Sequence, residues 1–270
     1  MRLLPRDTPA TAAGWPDLTN ELDRWGEAGR IATLWWRDDD AATASARLDR
    51  LLSIAGNVPI ALAAIPAAAD PGLGEQITGS SRSTKPSRWI ILQHGWRHTN
   101  HAGEGKKSEF PPGRSRASVA SDLAAGRERL VALFKDRALA VLAPPWNHFD
   151  ASFLPLLHAC GLAAISRINP RRSVRPVPDI AEVNVHVDLI AWRDDRRFIG
   201  EGAALAGLIR HLQARRLGEV DAEEPTGILT HHLVQDDPTD AFLHRFIAIS
   251  SAHPAARWLD PVEAFASALS

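Results

Sequence analysis

Short apolar runs recur along the chain, each followed by a segment with helical spacing. The runs Ile31–Arg37, Val58–Ala64, Arg88–Gln93, Ala138–Ala143, Leu162–Arg167, Val183–Ile190 and Thr226–His231 read as seven strands. Most are continuously apolar rather than alternating, the pattern of parallel strands covered on both faces. Between them, Leu48, Leu51, Leu52 and Ala55 share one helical face, and Gly56 supplies a stop. Val119, Leu123, Leu130 and Phe134 form a second stripe, and Leu205, Leu208, Ile209 and Leu212 a third. Asp150 is expected to cap a helix carrying Phe153, Leu154, Leu157 and Cys160, ended by Gly161. Phe242, Phe246 and Ile249 make the last clear stripe, before Pro254. Strand–helix alternation predicts an α/β fold with a parallel sheet, either a closed barrel or an open doubly wound sheet. Both gather ligands beyond the carboxyl ends of their strands. The polar stretch His101–Arg116 reads as a long loop on that rim. No repeat or linker divides the chain, so residues 1–270 are expected to form one domain.

Composition narrows the function class. The 270 residues are 45% hydrophobic, with 31 basic against 32 acidic side chains and a formal net charge of −1. That balance argues against a general nucleic-acid or membrane-surface binder. No apolar run is long enough to span a bilayer. The single cysteine, Cys160, excludes an internal disulfide framework. The start, Met1-Arg2-Leu3-Leu4-Pro5-Arg6-Asp7, has no apolar stretch of signal length, and a cytoplasmic protein is expected. There are 9 tryptophans and no tyrosine, so any aromatic wall falls to Trp.

The polar clusters fall at predicted strand ends. The first strand finishes in Arg37-Asp38-Asp39-Asp40. Three adjacent carboxylates stay ionised only if solvated, paired or bound to a cation, and the run follows the apolar Leu34-Trp35-Trp36. The third strand leads into His94-Gly95-Trp96-Arg97-His98, whose two imidazoles can converge on one ion. Two imidazoles plus one carboxylate, with open positions left for water, make a common catalytic metal site. His231 and His232 close the seventh strand; adjacent strand residues face opposite ways, so one of them is expected in a site, able to hand a proton to a leaving group. Pro144-Pro145-Trp146, followed by Asn147, fixes the backbone after the fourth strand and offers an N–H and an indole wall. Taken alone, Arg37, Arg193 and Glu109 read as surface or ion-pair residues.

The order of these motifs resembles the polysaccharide deacetylase (NodB-homology, carbohydrate esterase family 4-like) superfamily, as a divergent member. The acidic pair is similar to that family's Asp-Asp motif, and His94 to His98 to its His-x-x-x-His motif. Pro144-Pro145-Trp146 sits where the family carries Arg-x-Pro-Tyr, Asp188 to Trp192 resembles its Asp/Trp motif, and Leu229-Thr230-His231 its last strand. The match spans residues 31–235. It implies a distorted (β/α)7 barrel of the glycoside hydrolase/deacetylase type and a metal-dependent hydrolase that deacylates a saccharide.

The resemblance also implies roles. Asp39 is the general base and Asp40 a metal ligand, with Asp38 and Asp39 as the fallback pair. His94 and His98 complete the ligand set, and His231 is the general acid. Trp146, Asn147, Glu109 and Trp192 are expected to contact substrate, with His101 beside them. The implied cofactor is zinc or another divalent ion (cobalt, manganese, iron or nickel), and the implied partner a saccharide or N-acylated small molecule. Ala143 replaces the family's motif arginine, for which Arg37 or Arg193 is a candidate substitute. Two alternatives stand beside this reading. One is hydrolysis of another C–N bond on the same fold; the other is a catalytically silent carbohydrate-binding barrel.

Overall fold

A computed structural model describes residues 13–79 and 89–269. The N-terminal stretch Met1 to Asp7 and Arg88, the expected start of the third strand, lie outside the described residues. The first half of the chain runs α1 (Trp15–Glu27), β1 (Ala32–Ala41), α2 (Ala46–Ala55), β2 (Ile60–Ala64), α3 (Pro71–Gly79), β3 (Trp89–Gln93), α4 (Arg116–Phe134) and β4 (Ala138–Leu142). The second half runs α5 (Leu156–Ala159), β5 (Ala164–Ile165), β6 (Ala181–Glu182), β7 (Val187–Asp188), α6 (Glu201–Leu217), β8 (Thr226–Thr230), α7 (Asp237–Ala252), β9 (Ala256–Trp258) and α8 (Pro261–Leu269).

Every named strand pairing is parallel, in the order β6-β5-β4-β3-β2-β1-β8-β7, with β9 alongside the start of β1. The sheet curls into a distorted (β/α)7 barrel. Its sixth stave is the expected run near Val183–Ile190, divided in two. β6 bonds to β5, through Ala164↔Ala181 and Ile165↔Glu182, whereas β7 bonds to β8, through Val187↔Ile228 and Asp188↔Leu229. Between them, Val185 N–H still donates to Arg167 O, at 3.0 Å, while His186 N–H already donates to Gly227 O, at 2.8 Å. One extended segment therefore serves both edges of the curled sheet.

Side-chain alternation separates an inner core from two outer ones, the smaller of which gathers Leu142 and Ile165 with Phe110, Leu123 and Leu157. Trp35, Ala61, Ala63, Ile90, Leu92, Ala143, Ala164 and Leu229 pack inside the barrel, with Phe265 of α8 edge-on to Trp35 at 5.5 Å. Leu34, Trp36, Ile60, Leu62, Trp89 and Ile228 face outward, onto α1, α2, α6 and α7. The inner face needs small residues to admit one tryptophan. Trp35 Nε1 donates to Asn184 O at 2.9 Å, and a Cβ at position 227 would stand 2.4 Å from that nitrogen, so Gly227 is required there.

The helices begin where short polar side chains cap them. Ser45 accepts from Leu48 N–H, Ser115 from Ser118 N–H and Asp236 from Thr239 N–H. The helix expected after Asp150 is broken. Asp150 caps a 3₁₀ turn over Ala151–Phe153, and α5 starts only after Pro155, which has no N–H for a continuous ladder. Three helices beyond the sequence expectation complete the shell: α1, which buries Trp15, Leu18, Leu22 and Trp25, α3 and α8. Among the described residues no helix is long and apolar enough to cross a membrane.

Candidate active site

The polar strand ends meet at one rim. β1 runs to Ala41 and so includes the acidic run, whose three carboxylates meet three different fates. Asp39 points inward with Trp35 and Arg37, four and two residues before it on the same face. Arg37, fully buried, grips it with two parallel bonds, Nε to Oδ1 at 2.8 Å and Nη2 to Oδ2 at 2.9 Å. Arg37 is itself fixed by Ser166 O and Oγ, both at 2.9 Å, and by Asn147 Oδ1 at 2.6 Å. Asp38 points outward, where it accepts from Thr230 Oγ1 at 2.7 Å and His232 N–H at 3.0 Å and pairs with the His232 ring.

Asp40 sits at a break in the β1–β2 register, with φ at +71°. That turn swings its carboxylate to 3.3 Å from both His94 Nε2 and His98 Nε2. Asp40 Oδ1 is buried and makes no hydrogen bond. His94 Nδ1 lies 2.9 Å from Ala143 O, which keeps the ring's proton on that nitrogen and leaves Nε2 as a lone pair facing Asp40. Burial works against charge on Asp40, but the close approach of His94, with His231 and His98 nearby, holds its carboxyl well below the usual range. Burial and the neighbouring His94 push the His98 pKa below its ordinary value. Burial also opposes charge on His94, but Asp39 and Asp40 outweigh it and raise its pKa.

One ligand atom from each of Asp40, His94 and His98 lies within 4.8 Å of the others. An orphaned carboxylate oxygen 3.3 Å from two imidazole nitrogens fits a divalent cation with open positions for water. Among the described residues a second group, His186, His211 and Glu224, meets the same distance test. Its chemistry differs. Gly227 N–H donates to His186 Nδ1 at 2.9 Å, so the neutral ring carries its proton on Nε2, the atom 3.4 Å from Glu224. The two rings stack face to face, 3.3 Å between centroids, and their lone pairs do not converge. That trio does not fit a cation.

Opposite Asp40, His231 faces the rim while His232 turns away to Asp38. His231 Nε2 is 4.0 Å from Asp39 Oδ2, and its Nδ1 is 3.7 Å from Asp188 Oδ1. Trp192 lays its ring edge-on to His231 at 4.6 Å and donates Nε1–H to Asp188 Oδ2 at 2.7 Å. Burial raises the pKa of Asp188, and His231, Ile190 N–H and Trp192 temper the shift. Trp192 is 40% exposed, an indole wall open to solvent. The Trp146 ring packs tilted against His98, 4.3 Å between centroids. Trp146 and Asn147 both have left-handed backbones, as do Asp40 and His98, so strain concentrates at this rim.

Two expectations change. Glu109 does not face the rim: it is 1% exposed, and its two oxygens accept from Trp96 N–H, at 3.1 Å, and Arg97 N–H, at 2.8 Å. Of the two candidate substitutes for the missing motif arginine, Arg193 is exposed and Arg37 holds Asp39. The i, i+2 spacing of Arg37 and Asp39 on one strand face was the available signal. A cavity of about 520 Å³ is lined in part by His101, Ser108, Asn147, His148 and Arg167, and it borders the Arg37–Asp39 clamp through Asn147.

No protein-family model matches the chain, and no curated protein matches it significantly. Solved structures do. A Mycobacterium smegmatis protein assigned as a polysaccharide deacetylase superposes with a TM-score of 0.56 at 18% identity, covering 93% of this chain and 91% of that one. A Streptococcus mutans CE4 esterase gives a TM-score of 0.52 at 13% identity, covering 86% of this chain and 85% of that one. A mutant of a CE4-family pseudoenzyme with restored enzymatic activity gives 0.50 at 12% identity, covering 81% of this chain and 62% of that one. Barrel, strand order and rim together give this chain the fold of the polysaccharide deacetylases, in a divergent form.

Proposed function

We propose that the chain is a metal-dependent hydrolase that removes an acyl group, N-acetyl foremost, from a saccharide. The observation that carries this reading is the convergence of Asp40, His94 and His98 beside the Arg37–Asp39 clamp, with His231 across a 4.0 Å gap. Those three side chains would hold zinc or another borderline divalent ion. Such an ion supplies Lewis acidity and a water of lowered pKa.

The chain's own residues do the rest. Asp39 takes the proton of the attacking water on a carboxylate oxygen, while Arg37 keeps that oxygen aimed. His231 gives its Nε2 proton to the departing amine, and Asp188 Oδ1, 3.7 Å behind Nδ1, orients the ring. A backbone N–H near Trp146 supports the developing oxyanion. Trp146 and Trp192 wall the substrate on two sides, the arrangement that sugar rings favour on their apolar faces. The cavity beside Asn147 gives room for more of the substrate than the reacting group.

Ala143 favours a second reading, a silent carbohydrate-binding barrel. Arg37 answers it, because the base is held without the missing side chain. Acetate release from a panel of N-acetylated saccharides and other acylated amines separates the two. Turnover by the metal-loaded chain that Asp39→Asn abolishes is expected. A wild-type rate equal to that of Asp39→Asn overturns the hydrolase reading and leaves the binder.

A further inference from the structure

The loop between the two candidate imidazole ligands is not a helix. Gly95 (φ +65°) and His98 (φ +57°) are both left-handed, a conformation that costs His98 free energy and that no local propensity maintains. Something outside the loop must hold it. The buried carboxylate of Glu109 does so from beneath. Its two oxygens take the consecutive N–H groups of Trp96 and Arg97, at 3.1 and 2.8 Å. The fit is tight enough that a Cβ on Gly95 would stand 1.8 Å from Glu109 Oε2. The rim loop exists to deliver this side chain. Asn100 Oδ1 folds it back by accepting from Ala102 and Ser108 N–H, at 3.1 and 3.0 Å, and Arg114 Nη1 holds Glu109 O at 3.0 Å.

We propose that Glu109 is a positioning residue for the cation site: it caps the Trp96 and Arg97 N–H groups and so sets His98 against Asp40 and His94. The proposal rests on the metal reading above. It predicts that Glu109 acts on metal affinity through His98, although it touches neither ion nor substrate.

The test is a double-mutant cycle read by Co²⁺ affinity, in competition with a chelating dye, and by the Co²⁺ visible spectrum. Wild type, Glu109→Gln, His98→Ala and the double variant are compared. Glu109→Gln offers one acceptor where two are needed. It is expected to weaken Co²⁺ binding about 10- to 100-fold and to alter the ligand-field bands. In the His98→Ala background the same change is expected to cost under about threefold, since the group it positions is gone. Equal penalties in both backgrounds, or none in either, overturn the proposal. If Glu109→Gln does not fold, Arg114→Ala decides, because it releases Glu109 from behind without touching the carboxylate. Weakened Co²⁺ binding supports the proposal, and unchanged binding overturns it. A wild-type chain that binds no divalent ion overturns the metal reading and this proposal together; a wild-type chain that binds while Glu109→Gln matches it overturns this proposal alone.

Discussion

Two clusters of two histidines and one acid lie in the same barrel, and only the one at the rim suits a cation. At the rim, Ala143 O fixes the His94 proton on Nδ1, so that Nε2 faces Asp40 as a lone pair. At the other cluster, Gly227 N–H does the opposite to His186 and turns a proton toward Glu224. Burial there opposes charge on all three groups. It drives His186 well below its usual value and His211 to about 2, and it lifts Glu224 to about 7. Residue type and proximity are therefore poor criteria for a metal site. The backbone group on the far side of each ring decides what the near side can bind.

The most severe test of this contrast is metal content. Asp40→Ala or His94→Ala is expected to weaken divalent-ion binding on the order of a thousandfold or more, whereas His211→Ala leaves one ion per chain. Metal analysis after gel filtration reads the result, and loss of the ion from His211→Ala would reverse the assignment of the two clusters. Next in size is Arg37→Ala, which strands the buried Asp39 carboxylate. Chemical denaturation should show a loss of about 3–5 kcal/mol.

The basal cluster gives a smaller effect with a definite sign. Glu224, raised to about 7, stabilises the fold fully below its unfolded pKa, and this contribution is lost as pH climbs through about 7. His186 and His211, both depressed, act oppositely: their contribution is present above about 6.5 and is lost on acidification. Comparing Glu224→Gln with wild type from pH 4 to 8 isolates the acid. Relative to the variant, wild type should lose on the order of 1–3 kcal/mol over that range, and a flat difference would show that Glu224 is not protonated in the fold. Smallest is Trp192→Phe, which keeps the ring against His231 and removes the bond to Asp188. A several-fold fall in kcat/KM with an unchanged Tm is expected, about 1 kcal/mol of transition-state binding.

Much of this was legible in the chain. β1 to β4 and β8 fall within a few residues of their apolar runs, because parallel strands buried on both faces are apolar throughout. The run Leu162–Arg167 does hold β5, but its shortening to two residues and the handover from β6 to β7 were not legible, since pairing partners are set by the curl of the sheet. α1 had a signal, Trp15, Leu18, Leu22 and Trp25 on one face behind Pro16 and Asp17, but its chain start looks like a tail. At the site, residue types and strand ends were readable. The separate fates of Asp38, Asp39 and Asp40 required a register break and a left-handed residue, which composition does not announce.

The shared sixth stave makes β8 the keystone of the ring. Val187 and Asp188 find their partners only in Ile228 and Leu229, about forty residues further along, and β1 needs that same strand on its flank. Until β8 docks, two neighbouring strands present bare hydrogen-bonding edges, each a template for pairing with another copy. A nascent or nicked polypeptide missing that one short stretch is thus expected to self-associate, however well its first four strands have formed.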